Sequence, residues 1–182
     1  QKDPRALLPL DTFRAEFMGR QWGLGPEFLV YENRPFTTEE GLAMTLLHDV
    51  LVRPAGVGPR DRLIFSLWRA RDDFGVQDAE FLPYWSNGEL VRTSPQRIYA
   101  SAYRRADRGL LLVVSNLGKE AAEATVGLEP GILSEGWGEL KAADALSGEP
   151  VSLHATEGGG WRLSTPLGPM QWRLIRVGSA GQ

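Results

Sequence analysis

The chain has 182 residues, 42% of them hydrophobic and 24% charged, with a formal net charge of −3. That length and balance fit one large or two small globular domains, and the acidic excess argues against nucleic acid or an anionic membrane surface as a partner. Cysteine is absent, which excludes disulfides and thiolate metal sites. No apolar run reaches the roughly 18 residues of a membrane span.

The chain opens Gln1-Lys2-Asp3-Pro4, neither a signal peptide nor an initiator methionine, so it reads as a piece of a longer polypeptide. Asp11–Met18 predicts a short helix with Phe13 and Phe17 on one face. A glycine-rich passage, Gly19 to Gly25, holds Trp22 and leads into a predicted buried strand over 26–32 that ends at Asn33-Arg34-Pro35. Thr37 with Glu40 three residues later forms a capping box. Ala43, Leu46, Leu47, Val50 and Leu51 then predict one apolar helical stripe running to Pro54. A second helix starts at Gly58-Pro59, carries Ile64, Leu67, Trp68 and Arg71 on one face, and stops at Gly75. The order strand, helix, helix is one unit of a parallel α/β layer plus an exit helix.

Beyond Gly75 the pattern changes. Glu80–Gly88, with Phe81, Tyr84 and Trp85 around Pro83, predicts a rigid connector. The run Leu110–Asn116 is too short for a core-spanning helix and reads as a strand covered on both faces. Ile98–Tyr103 before it and the turn Ala106–Gly109 complete a hairpin. Further strands are expected over 122–128, 139–143, 151–154, 161–163 and 170–177, separated by Ser147–Pro150 and Glu157–Gly160. Short strands at this spacing predict an antiparallel sandwich.

Three strings then carry a likeness: Phe74-Gly75 followed by Phe81-Leu82-Pro83-Tyr84-Trp85, Tyr99–Tyr103 with Leu111–Asn116, and Ala143–Glu149 as an A-x-D-x-x-[ST]-G strand-turn. The sequence resembles the C-terminal part of bacterial glycoside hydrolase-like proteins, in which a (β/α)8 barrel precedes an antiparallel β-sandwich. The resemblance implies an α+β chain: residues 1–75 a strand-helix-helix remnant of the barrel, residues 76–182 the C-terminal β-sandwich. It also implies carbohydrate as ligand, the rest of the same polypeptide or a partner chain as neighbour, and an extracellular or periplasmic setting.

Candidate chemistry is sparse. In a barrel, Glu32 lies at the C-terminal end of its strand, where such folds place their sites, with Asn33 and Arg34 following to hydrogen-bond sugar hydroxyls; the plainer reading pairs Glu32 with Arg34. No second carboxylate is visible to complete a hydrolytic pair, so the catalytic residues are not identified. Tyr84 and Trp85 are either a sugar platform or packing between the two parts. His48-Asp49 invites an acid–base role, against a histidine that caps a nearby carbonyl. Trp68 and Trp172 fall on core faces, while Trp137 between two glycines is expected to be exposed. Two histidines without clustered carboxylates give no metal site, and no cofactor is implied. The chain is therefore expected to support a carbohydrate-active barrel and contribute to its cleft without turnover of its own. The alternative is a non-catalytic structural or assembly module built on the sandwich.

Overall fold

The computed structural model describes residues 9–18, 27–28, 37–54, 58–133, 137 and 139–179; residues 27 and 28 are described by their backbone. Helix α1 spans Leu10–Phe17, strand β1 Glu27–Phe28, helix α2 Thr38–Thr45, and a 3-10 turn Leu46–His48. Strand β2 is Leu51–Val52, helix α3 Pro59–Phe74, and a second 3-10 turn Val76–Asp78 follows. The remaining strands are β3 Glu80–Leu82, β4 Val91–Ser94, β5 Ile98–Arg105, β6 Gly109–Asn116, β7 Ala122–Leu128, β8 Leu140–Asp144, β9 Pro150–Ala155, β10 Trp161–Leu167 and β11 Trp172–Ser179.

The helix signals in the sequence act as read at both starts. Thr37 Oγ1 accepts from Glu40 N at 3.3 Å while Glu40 Oε2 accepts from Thr37 N at 2.8 Å, the reciprocal box that caps α2. Pro59 opens α3, Asp61 reaches back to Gly58 N at 2.7 Å, and Gly75 at φ +78° closes the helix by donating to the Arg71 and Asp72 carbonyls. In α1, Phe13 and Phe17 stack with centroids 4.4 Å apart.

The apolar stripe over 43–51 does not make one helix. The α-helix ends at Thr45, tightens into the 3-10 turn, and Asp49 takes a left-handed conformation at φ +57°. Ala43, Leu46, Leu47 and Val50 are buried, but Leu51 is 38% exposed because it belongs to β2. Strand β2 pairs parallel with β1, Glu27 opposite Leu51 and Phe28 opposite Val52. The first part is thus strand, helix, parallel strand, helix, not the expected strand, helix, helix. A two-residue strand leaves no periodicity to read, which is why it was hidden within the stripe.

Nine strands among the described residues form one curled antiparallel sheet in the order β3-β5-β6-β11-β8-β9-β10-β7-β4. The curl brings β4 back against β5, giving a sandwich-like body. The hairpin β5–β6 pairs Ile98 with Asn116 through to Arg105 with Gly109. Gly109 stands at φ +85°, where a Cβ would collide with the Val177 carbonyl, so the turn requires glycine. The strand-turn at Asp144 is equally local in cause: its Oδ1 accepts from Leu146 N and Ser147 N at 2.9 Å each, an Asx turn.

Strand β6 divides the core in two. Leu110, Leu112 and Val114 face the inside of the curled sheet with Ala100, Ala102, Val126, Leu163, Ile175 and Val177. Leu111 and Val113 face outward, onto a second cluster with Phe13, Leu42, Leu46, Leu47, Ile64, Leu67 and Phe74. Every residue of β6 is buried. The helices therefore have no separate core; they complete the outer side of the sheet. The turn residue Met170, expected on a strand, is at φ +54° just before β11, yet it still packs with Leu174 in the helix-side cluster. Trp137 is half-buried against the inner cluster, contrary to its expected exposure, because it covers Gly178.

Val113 has no exposed surface, so Val113→Asp introduces an uncompensated charge costing about 3–5 kcal/mol. Thermal denaturation followed by circular dichroism is expected to show loss of the cooperative transition or a much lower midpoint. A parent-like melt would remove β6 from the centre of the fold.

Candidate functional site

The site with the densest polar and aromatic chemistry lies where the turn after α2 meets β5. Ser101 on β5 donates its hydroxyl to Leu47 O at 2.7 Å and accepts from Tyr84 N at 3.0 Å. Asn87 holds the other end of the Tyr84 loop by donating to Leu82 O and Ala100 O, both at 3.0 Å. Pro83 and the Ser86 N–H to Pro83 O bond shape the turn between them. Ser101 and Asn87 thus anchor the loop that carries Tyr84 and Trp85.

His48 is fully buried beneath them. Its Nδ1 lies 2.8 Å from Met44 O, and a carbonyl only accepts, so Nδ1 carries the proton. Nε2 is then the acceptor for the Tyr84 hydroxyl at 3.3 Å. Trp85 stacks on the imidazole at 5.4 Å, Tyr84 meets it edge-on at 5.4 Å, and Phe13 closes the far side at 4.7 Å. Arg14 stands over the Trp85 ring, 5.7 Å from its centroid. Burial lowers the His48 pKa and the Arg14 charge lowers it further, against the opposing pull of the Met44 carbonyl. Both ring nitrogens of the neutral imidazole are engaged, which leaves none for proton transfer to a ligand. Burial likewise pushes the Tyr84 phenol up to about 12. The carbonyl-capping reading of His48 describes what is there.

Beside it sits a charged triad. Arg71 on α3 donates to Asp49 Oδ1 at 2.5 Å and to the Tyr103 hydroxyl at 2.7 Å, and that hydroxyl donates to Asp49 Oδ1 at 2.6 Å. The guanidinium also lies 4.9 Å from the Tyr103 ring centroid. Burial pushes the Tyr103 phenol well above its usual range. Burial works against the Arg71 cation, but Tyr103 and Asp49 more than offset it and hold its pKa above the ordinary value. Arg71 side-chain exposure is 8% and that of Asp49 is 40%, so the carboxylate forms the wet end of the network. It opens onto a shallow cleft of about 430 Å³ bordered by Leu51, Trp68, Asp72 and Gln77.

Of the residues singled out in the sequence, Tyr84 and Trp85 are brought together at this seam, while Glu32, Asn33 and Arg34 lie outside the described residues. Among the described residues no group of His, Asp and Glu is arranged to hold a metal ion, and no helix is long and apolar enough to cross a membrane. The triad was missed as a unit, though one signal was present: Arg71 shares the apolar face of α3 with Ile64 and Leu67, and a charge on such a stripe needs a buried partner.

The middle of the chain is similar to a glycoside hydrolase C-terminal domain. Residues 64–140 match the family model described as glycoside hydrolase 123, C-terminal domain, a span running from within α3 to the first residue of β8. No curated protein matches the chain. An α-amylase from Anoxybacillus, titled as a new glycosyl hydrolase subclass, shares 11% identity at a TM-score of 0.45, covering 72% of this chain and 25% of that one. A GH27 β-L-arabinopyranosidase from Geobacillus stearothermophilus shares 18% at 0.47, covering 80% and 31%. The chain thus spans less than a third of either enzyme, and similarity of that degree fixes neither fold nor activity.

Two measurements follow from the seam. Because the folded His48 pKa is lowered, the unfolded chain binds the extra proton, so stability is full above the free-histidine value near 6.5 and is lost as pH falls below it. Urea denaturation from pH 8 to 5 is expected to show a loss of stability below the free-histidine range, limited to about 1.4 kcal/mol per pH unit, that His48→Gln lacks; equal slopes for the two proteins would mean that the fold leaves the His48 pKa unlowered. Tyr103→Phe removes one partner each from Arg71 and Asp49 and is expected to cost about 1–3 kcal/mol by the same assay. An unchanged midpoint would mean that water replaces the hydroxyl.

Proposed function

We propose that this chain is the C-terminal portion of a glycoside hydrolase-like protein, with residues 1–75 the end of a (β/α)8 barrel and residues 76–182 the β-sandwich that braces it. The match of residues 64–140 to a glycoside hydrolase C-terminal domain carries this reading. Two features support it further. The pair β1–β2 is parallel with α2 between its strands, as in a barrel unit. Among the described residues, the two large apolar side chains with the most surface, Leu51 on β2 and Phe65 on α3, each 38% exposed, lie on the segment that the rest of a barrel would cover.

In this reading the sandwich keeps the last barrel elements in place through the shared core at β6. Glu32, Asn33 and Arg34 follow β1, the strand end where barrels assemble their sites, and Tyr84 and Trp85 border the same part from the sandwich side. Sugar hydroxyls are bound by Glu32, Asn33 and Arg34, and aromatic rings cover apolar ring faces. Hydrolysis needs two carboxyl groups across the glycosidic bond, and in this reading that pair is completed by the whole protein. The remaining polypeptide, or a partner chain, supplies the other barrel units, and the setting is extracellular or periplasmic. An assembly role without catalysis is the competing reading.

Titration calorimetry of the 182-residue chain against a panel of mono- and oligosaccharides tests the proposal. Heat with at least one glycan, weakened by Glu32→Gln, is expected, together with no release of aglycone from aryl glycosides. No heat with any glycan would sink the sugar-binding role, and turnover by this chain alone would sink the division of labour.

A further inference from the structure

A second polar cleft lies on the seam, away from the charged triad. It has a volume of about 300 Å³ and is bordered by Pro9, Leu10 and Asp11 at the start of α1, Met44 on α2, and Tyr84, Arg97, Tyr99 and Leu117 on the sheet side. That is the lower end of small-ligand sites and suits one monosaccharide ring. Its aromatic wall is made by Tyr84 and Tyr99, both half-buried, which meet edge to face at 5.3 Å. Its charges are the Asp11 carboxylate and the Arg97 guanidinium. Among the described residues neither is engaged in a salt bridge or side-chain hydrogen bond.

Arg97 is the informative residue. It stands at φ +75°, in the left-handed region that favours glycine or asparagine. Its backbone carbonyl accepts from Leu117 N at 2.9 Å, which pins the turn before β5 against the end of β6. The fold needs the turn, and among the described residues no salt bridge or hydrogen bond takes up the guanidinium. A strained arginine that borders a cleft, with no ion-pair partner among the described residues, is the sort of outlier that points to a ligand.

We propose that this cleft is a saccharide-binding subsite for a single neutral pyranose residue. The assignment takes its ligand class from the carbohydrate-active reading above. The apolar C–H face of a pyranose lies against the tyrosine wall. Asp11 accepts from ring hydroxyls, and the guanidinium fork of Arg97 donates to hydroxyl oxygens across the ring. The two charges balance, so the cleft favours a neutral ring over a uronate, which Asp11 repels, or an aminosugar cation, which Arg97 repels. Tyr84 joins this cleft to His48 through its hydroxyl, 3.3 Å from Nε2.

The test is a ¹H–¹⁵N NMR titration with methyl glycosides of glucose, galactose, N-acetylglucosamine and N-acetylgalactosamine, with methyl glucuronide and methyl glucosaminide as charged arms. The expected result is saturable shifts at the amides of Asp11, Arg97 and Tyr99 with at least one neutral glycoside. Arg97→Gly relieves the left-handed strain, so it is expected to melt with the parent while binding about tenfold or more weakly, the loss of a charge-assisted hydrogen bond. Asp11→Asn is expected to weaken binding of the neutral glycoside without opening the site to it elsewhere. Binding of a glycoside with shifts remote from these residues and untouched by Arg97→Gly would overturn the subsite while leaving the carbohydrate reading intact. Preference for a charged glycoside would overturn its neutral specificity. No binding by any glycoside would overturn both.

Discussion

One strand with no polar face governs this molecule. Because every residue of β6 is buried, both of its sides must be covered, and a single sheet that curls on itself covers only one. The inner side is satisfied by the opposite limb of the sheet through Val126 and Leu163. The outer side, with Leu111 and Val113, is satisfied by α2, the turn after it and α3. At about 25 cal/mol per Å² of apolar area removed from water, an uncovered face of that strand would be a large penalty and an aggregation edge as well. The helical part is therefore a structural requirement of the sheet, whatever else it does.

That requirement creates the seam and explains its chemistry. Where helices lie on a sheet, the turns that end them carry backbone groups into a dry interface, and each must find a partner. Leu47 O finds Ser101, Met44 O finds His48, and the Arg71 cation finds Asp49 and Tyr103. These groups are directional where the leucines and valines around them are not. They fix how the helices sit on the sheet, and a neutral His48 with both nitrogens committed is part of that fixing. A seam of this kind is a good support for a site nearby and a poor site in itself, which is why the residues that look most catalytic in the sequence, His48 and Asp49, do structural work.

The parts of the fold that follow from local rules were legible in the sequence. The capping box at Thr37, the Pro59 start and Gly75 stop of α3, and the hairpin around Gly109 each depend on residues within a few positions of one another. The alternation over 122–128 and 172–177 shows which side chains face in, and the unbroken run at 110–114 shows a strand covered twice. What failed depends on tertiary partners. Asp49 ends the stripe over 43–51 early, since its left-handed turn is stabilised by Arg71 and Tyr103 from distant segments, and no periodicity foretells it. Strands β2, β3 and β4 have two to four residues each, too few for a pattern; they exist because a neighbour offers a ladder. The glycines flanking Trp137 predict exposure, but the indole shelters Gly178. The candidate site divides along the same line: Tyr84 and Trp85 stand out by composition, whereas Arg97 reveals itself only through a backbone angle.

The same division bears on how a supporting domain acquires binding capacity. The buried residues that hold the seam together, His48, Arg71, Ser101 and Tyr103, are committed to partners within it, so none can be spared for a ligand without loosening the fold. Arg97 stands just outside that network, at a turn whose backbone is pinned through its carbonyl, next to Tyr84, which is anchored at its amide by Ser101 and at its hydroxyl by His48. A rigid backbone with free side-chain ends is the arrangement that binds at low entropic cost, because ordering is already complete before the ligand arrives. The seam thus provides preorganisation, and the cleft beside it, bordered by Asp11, Tyr84, Arg97 and Tyr99, shares that fixed backbone.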